Sequence, residues 1–100
     1  MVRGTTPTHC FEVDIDTSRI KSLKITYAQK DEEIITKRTE DCEVDGNTIS
    51  TKLTQEETFL FDSNERVGIQ IRVLTHDGDV VNSDIMVASV GKCLDEEVLV

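Results

Sequence analysis

The chain has 100 residues, 20 of them acidic and 11 basic, with a formal charge of −9 and a pI near 4.5. That length makes one domain and buries roughly 65% of the surface the unfolded chain exposes, leaving little room for an active site beside the core. The acidic field repels phosphate backbones and sets nucleic acid aside as a partner, and apolar runs such as Ile85 to Ala88 fall far short of the roughly 18–20 residues of a membrane span, so membrane insertion is set aside too.

From the N-terminus, "MVRGTTPTH" has no apolar h-region, which predicts no signal peptide and synthesis in the cytosol. Residues 1–7 are polar enough to read as a flexible arm that orders only on contact. In "THCFEVDID" Phe11, Val13 and Ile15 alternate with Cys10, Glu12, Asp14 and Asp16, the period of a half-buried strand. "SLKITYAQ" repeats it with Leu23, Ile25 and Tyr27 facing in, and "KDE" turns the chain into "EIITKRT" as a hairpin. "CEVDGNTISTKL" is a second hairpin, because Asp45-Gly46-Asn47 supplies residues that tolerate positive φ. "LTQEETFLF" then gives one helical turn near 54–57. "RVGIQIRVLT" puts Val67, Ile69, Ile71 and Val73 on one face as the central strand. "HDGD" turns it into "VVNSDIMVASV", whose apolar residues occupy both parities, as in a strand covered on both faces.

No longer segment carries a 3.6-residue apolar stripe, so the fold class is all-β. About seven short strands with regular turns predict an immunoglobulin-like antiparallel β-sandwich over residues 1–100, with an open barrel as runner-up. Residues 91–100 form a C-terminal tail. The chain has no Trp, so apolar packing must do the work of an antibody-type Trp and disulfide; Phe11, Ile25, Tyr27, Leu53, Phe59, Phe61, Ile69, Ile71 and Val87 are the expected core.

Glu56 and Glu57 are adjacent carboxylates, but neighbours on a helical turn point about 100° apart, with no nucleophile or oxyanion donor beside them. Thr54-Gln55-Glu56-Glu57 matches a capping box instead, with Thr54 and Glu57 as a structural cap and Glu56 in solvent. Asp14-x-Asp16 and Asp77-x-Asp79 would offer calcium its oxygens if strand ends met; Gly78 favours an ordinary hairpin turn there. Cys10, Cys42 and Cys93 are odd in number and lack a CxxC, which favours reduced thiols over zinc. His9 and His76 read as surface or edge residues without triad partners. The five glycines are scattered and form no phosphate loop. The expectation is a protein with no cofactor, no metal and no catalytic residues.

Several stretches together carry a likeness: "RGTTPTH", "ITYAQ", "TEDCEVDGNTISTKLTQEET", "IQIRVLT" and "KCLDEEVL". Over its whole length the sequence resembles a family of small proteins encoded in prophages of anaerobic Gram-positive gut bacteria. The resemblance implies a virion structural protein, a tail, baseplate, decoration or adaptor component, made in the host cytoplasm and carried in the particle. Its implied partners are other phage structural proteins or further copies of itself, and it brings no catalytic residue set. Leu94, Val98, Leu99 and Val100, beyond an acidic cluster, are the candidate contact residues, since terminal apolar side chains find cover on their own domain or a neighbour's. The alternative is a lectin-like module for host-surface glycans, which would need aromatic rings exposed for stacking; the chain has only Tyr27 and three Phe.

Overall fold

The structure, a computed structural model, describes residues 1–100. Its strands are β1 (Thr8–Glu12), β2 (Ile20–Gln29), β3 (Glu32–Arg38), β4 (Cys42–Asp45), β5 (Thr48–Lys52), β6 (Val67–Thr75), β7 (Val80–Asn82) and β8 (Met86–Ala88), with one helical turn, α1 (Gln55–Phe59), between β5 and β6. Two antiparallel sheets form, in the orders β1-β5-β4 and β3-β2-β6-β7, and β8 continues the β7 edge by pairing with the start of β6. These are the orders B-E-D and C′-C-F-G of an immunoglobulin-type sandwich, with α1 at the E–F crossover. A strand corresponding to A is reduced to one parallel bridge, Val2 to Gly91.

The core lies between the sheets, where period-two alternation from both sides converges. Leu23, Ile25 and Tyr27 of β2 and Val67, Ile69, Ile71 and Val73 of β6 face Ile49 of β5 and Leu53 just beyond it. Phe61 follows α1 and packs 6.1 Å, ring to ring, from Tyr27. Lys30 and Asp31 both have positive φ, the backbone of a two-residue I′ turn between β2 and β3. Gly46, at φ 59°, serves the β4–β5 turn.

Four expectations are corrected. Phe59 is only half-buried, because α1 runs through it: Thr58 and Phe61, three apart, share the inward helical face, and both are fully buried. Val87 is 60% exposed; β7 and β8 form an edge with a neighbour on one side only, so the apolar outward parity there is uncovered. The open barrel gives way to two separate sheets. Residues 1–7 are no free arm. Gly91 N donates to Met1 O and Arg3 N to Gly91 O, while Leu53 N donates to Pro7 O. Arg3 lies over the Phe59 ring, donates to Phe59 O and pairs with Glu96.

Gly4 makes that docking possible. It sits at φ 77°, and a Cβ there would stand 2.5 Å from Cζ of Phe59, whereas a Cβ on Gly46 would meet nothing. Gly46→Ala is therefore expected to cost about 1 kcal/mol of left-handed strain alone, and Gly4→Ala measurably more, because the Phe59 ring must also shift. Parallel urea melts of the two variants check the order.

Candidate functional site

The β2–β3 register places Lys37 opposite Ile25, on the inward face, where an ammonium needs a partner. Lys37 is buried, and its Nζ donates to Oε1 of Glu57 at 2.8 Å. The same Oε1 accepts from Thr54 N at 2.9 Å, while Glu57 N donates to Thr54 Oγ1 at 3.1 Å. Thr54 and Glu57 thus close the first turn of α1 as a capping box, and Glu56 points to solvent. Partial burial acts to raise the Glu57 pKa, but the Lys37 ammonium and the Thr54 amide and hydroxyl outweigh it and hold the carboxyl below its ordinary value. A carboxylate oxygen held by the Lys37 ammonium and the Thr54 amide is an anchor between β3 and α1 and no proton donor near neutral pH.

A second polar contact lies beneath β1. His9 shares the parity of Phe11, faces inward and brings Nδ1 within 2.7 Å of the Tyr27 hydroxyl, with which it shares a hydrogen bond. Burial, then the N-terminal ammonium, pushes the His9 pKa down. Burial, then the Cys42 and Glu57 charges, pushes Tyr27 up. Burial likewise raises the Cys42 thiol, which disfavours a thiolate nucleophile. His9 therefore lies on an edge strand, as one of its two expected placements has it, with its ring half-buried against the core tyrosine. Its parity with Phe11, Val13 and Ile15 was the available signal.

The aspartate pairs do not converge on a shared site. The two turns do adjoin, since His76 N donates to Arg19 O, but the guanidinium of Arg19 faces Asp77 at 3.7 Å. Asp16 accepts from Ser18 N and caps a single 3₁₀ turn at Thr17–Arg19. Asp79 closes its own hairpin, its amide donating to Thr75 Oγ1. No group of three or more His, Cys, Asp or Glu side chains is arranged to hold a metal ion, and the meeting of strand ends that calcium would have required is not made.

The C-terminal tail returns across α1: Gln55 holds Leu99 by a reciprocal pair of 2.9 Å bonds, Nε2 to Leu99 O and Leu99 N to Oε1. Leu94, Leu99 and Val100 stay exposed, and Val98 is half-buried. A second apolar exposure, absent from the sequence expectation, lies along the β7–β8 edge at Val80, Val81, Ile85 and Val87. Val81 is the informative member. Its register partner is the core residue Val73, so it points inward, yet it is 47% exposed. No helix of the chain is long and apolar enough to cross a membrane. Comparison with protein-family models, with curated proteins and with solved structures finds no match.

Thr54→Ala should cost about 1 kcal/mol by chemical denaturation, the usual loss for an N-cap hydroxyl. A carboxyl with a depressed folded pKa stabilises the fold above its unfolded pKa, and that contribution disappears as pH falls through the folded value. Glu57 should therefore make stability decline below the ordinary carboxylate range, near 4.5. His9, lowered from 6.5, should start a separate decline as pH falls through that value. In denaturation series across pH, Glu57→Gln should lower stability at neutral pH and flatten only the more acidic of the two declines.

Proposed function

We propose that this chain is a noncatalytic structural or adaptor subunit of a phage or prophage particle, a tail, baseplate or decoration component that works through protein–protein contacts. The observation that carries the contact role is the exposed apolar side chains of the β7–β8 segment, Val80, Ile85 and Val87 on the outer face of the sheet and Val81 uncovered on the inner one, because exposed apolar surface concentrated on a small domain marks an interaction site. The polar clusters favour the same reading: Glu57 is committed to Lys37 and Thr54, and His9 to Tyr27. The particle context rests on the resemblance over the whole chain. The glycan-binding alternative lacks a stacking platform, since Tyr27 and Phe61 are fully buried and Phe11 and Phe59 are half-buried.

Induction of a lysogen carrying a tagged copy of the gene tests this. The tagged chain is expected to sediment with purified particles through a density gradient and to survive a high-salt wash. Deleting the gene should leave particles short of one component and reduced in infectivity. A chain found only at the top of the gradient, with unaltered particles from the deletion, would overturn the proposal.

A further inference from the structure

The side of the sandwich between β1 and β7 is not closed. β1 pairs only with β5, and β7 only with β6, so each presents one unpaired backbone edge toward that side. Between them lies a groove of about 310 Å³. The core residues Ile71 and Val73 form its floor; Val13 and Ile15 line one bank and Val81 the other. This is where an immunoglobulin-type sandwich carries its first strand, here represented only by the Val2–Gly91 bridge at the far end of the edge. The exposure of inward-facing Val81 has the same origin: nothing covers it.

We infer that this groove accepts an extended segment of a different protein by β-strand addition to the outer edge of β7, alternate apolar side chains entering over Val81 and Val73 and basic side chains flanking them. The inference rests on the interaction role proposed above and names its site and the chemistry of its partner. Main-chain hydrogen bonds to Val80–Asn82 supply generic affinity, and the pocket over Ile71 and Val73 selects the inward side chains. Residues two apart on a strand share a face, so the groove reads an i, i+2 apolar pair. Charge selects the rest. Every ionisable residue lining the groove is acidic, namely Glu12, Asp14 and Asp84, so lysine or arginine at the intervening positions is favoured. The chain's own apolar tail is a poor occupant, because Asp95, Glu96 and Glu97 separate Leu94 from Val98 and would meet those acids.

The test uses the full chain and capped synthetic heptapeptides. A lysine–valine alternating peptide is expected to bind saturably in calorimetry and to weaken with salt. It should slow amide hydrogen exchange at Val80–Asn82 and Val13–Ile15. A glutamate–valine peptide and a lysine–serine peptide should each bind at least about tenfold more weakly, the first for charge and the second for lack of an apolar pair. The double variant Asp14→Lys, Asp84→Lys changes only exposed side chains and should reverse the preference between the lysine–valine and glutamate–valine peptides. Val81→Lys, checked for a native melt, should abolish binding. Equal binding of lysine–serine and lysine–valine peptides, exchange protection elsewhere on the surface, or an unchanged preference in the double variant would overturn the groove. Any of these in a chain that still enters particles removes the groove alone and leaves the structural role standing.

Discussion

The pairing of β2 with β6 is the constraint on which the rest of the molecule depends. Ile25 lies opposite Ile71 and Tyr27 opposite Ile69, while Lys24 and Thr26 lie opposite Arg72 and Gln70. A slip of one residue would exchange those two sets and put the cations in the core. The same parity passes to β3, where it has a cost. With Ile25 inward, its register partner Lys37 must point inward too. An unpartnered ammonium between two sheets is strongly unfavourable, so the position of α1 follows: its third residue, Glu57, has to meet Lys37 at the crossover. One carboxylate oxygen thereby ends the charge problem of β3 and caps the helix that carries the chain from one sheet to the other. Removing the carboxylate would disturb both sheets at a point where no side chain of the hydrophobic cluster can substitute.

Much of this was readable from the residues, and the reasons differ by element. Strand β6 announces itself because Val67, Ile69, Ile71 and Val73 recur at period two with Gly68, Gln70 and Arg72 between them, and the β4–β5 turn because Asp45-Gly46-Asn47 tolerates the positive φ that Gly46 adopts. The capping box was legible for a similar reason, since its partners lie three residues apart and need no tertiary information. What escaped depends on contacts distant in sequence. Phe59 and Phe61 are both expected in the core, but the helical turn, once made, buries Thr58 with Phe61 and turns Phe59 toward Arg3 and Gly4, more than fifty residues away. Nothing local in "EIITKRT" singles out Lys37, and only the register with Ile25 reveals its burial.

The segment from Val80 to Val90 shows how a local pattern can be read in two ways. Apolar residues at both parities suit a central strand covered on both faces, and equally an edge strand whose second face is left for something else. Topology decides between them. Met86 and Ala88 share the inward parity, and Val90 continues it into the core, while Ile85 and Val87 stand on the outside of the sheet with no layer above them. The N-terminal residues fail in the opposite sense. "MVRGTTP" has little apolar surface beyond Met1, which packs against the core, and it is held as well by backbone bonds to Gly91 and by the Arg3 guanidinium against Phe59 and Glu96. Polar segments order when another part of the chain offers donors and acceptors in the right places, and composition alone does not record that offer.

An apolar edge on an acidic domain invites pairing with its own kind, and the local construction of this edge opposes it. The strand is broken between β7 and β8, and at the break the Ser83 hydroxyl accepts the Ile71 amide in place of a ladder carbonyl, while Ser83 N donates to Ile71 O. Short, interrupted strands make poor templates for extended sheet growth. Asp84 stands at the same break, and Glu12 and Asp14 face it across the groove. Two copies approaching edge to edge would bring these acids together on chains that each carry −9 overall, so like-charge repulsion adds to the broken geometry. A segment that is apolar at alternate positions and cationic between them escapes the charge repulsion, and a short one needs no more edge than Val80–Asn82 supplies. In the proposed complex the acids that oppose self-pairing are therefore the ones that favour such a partner.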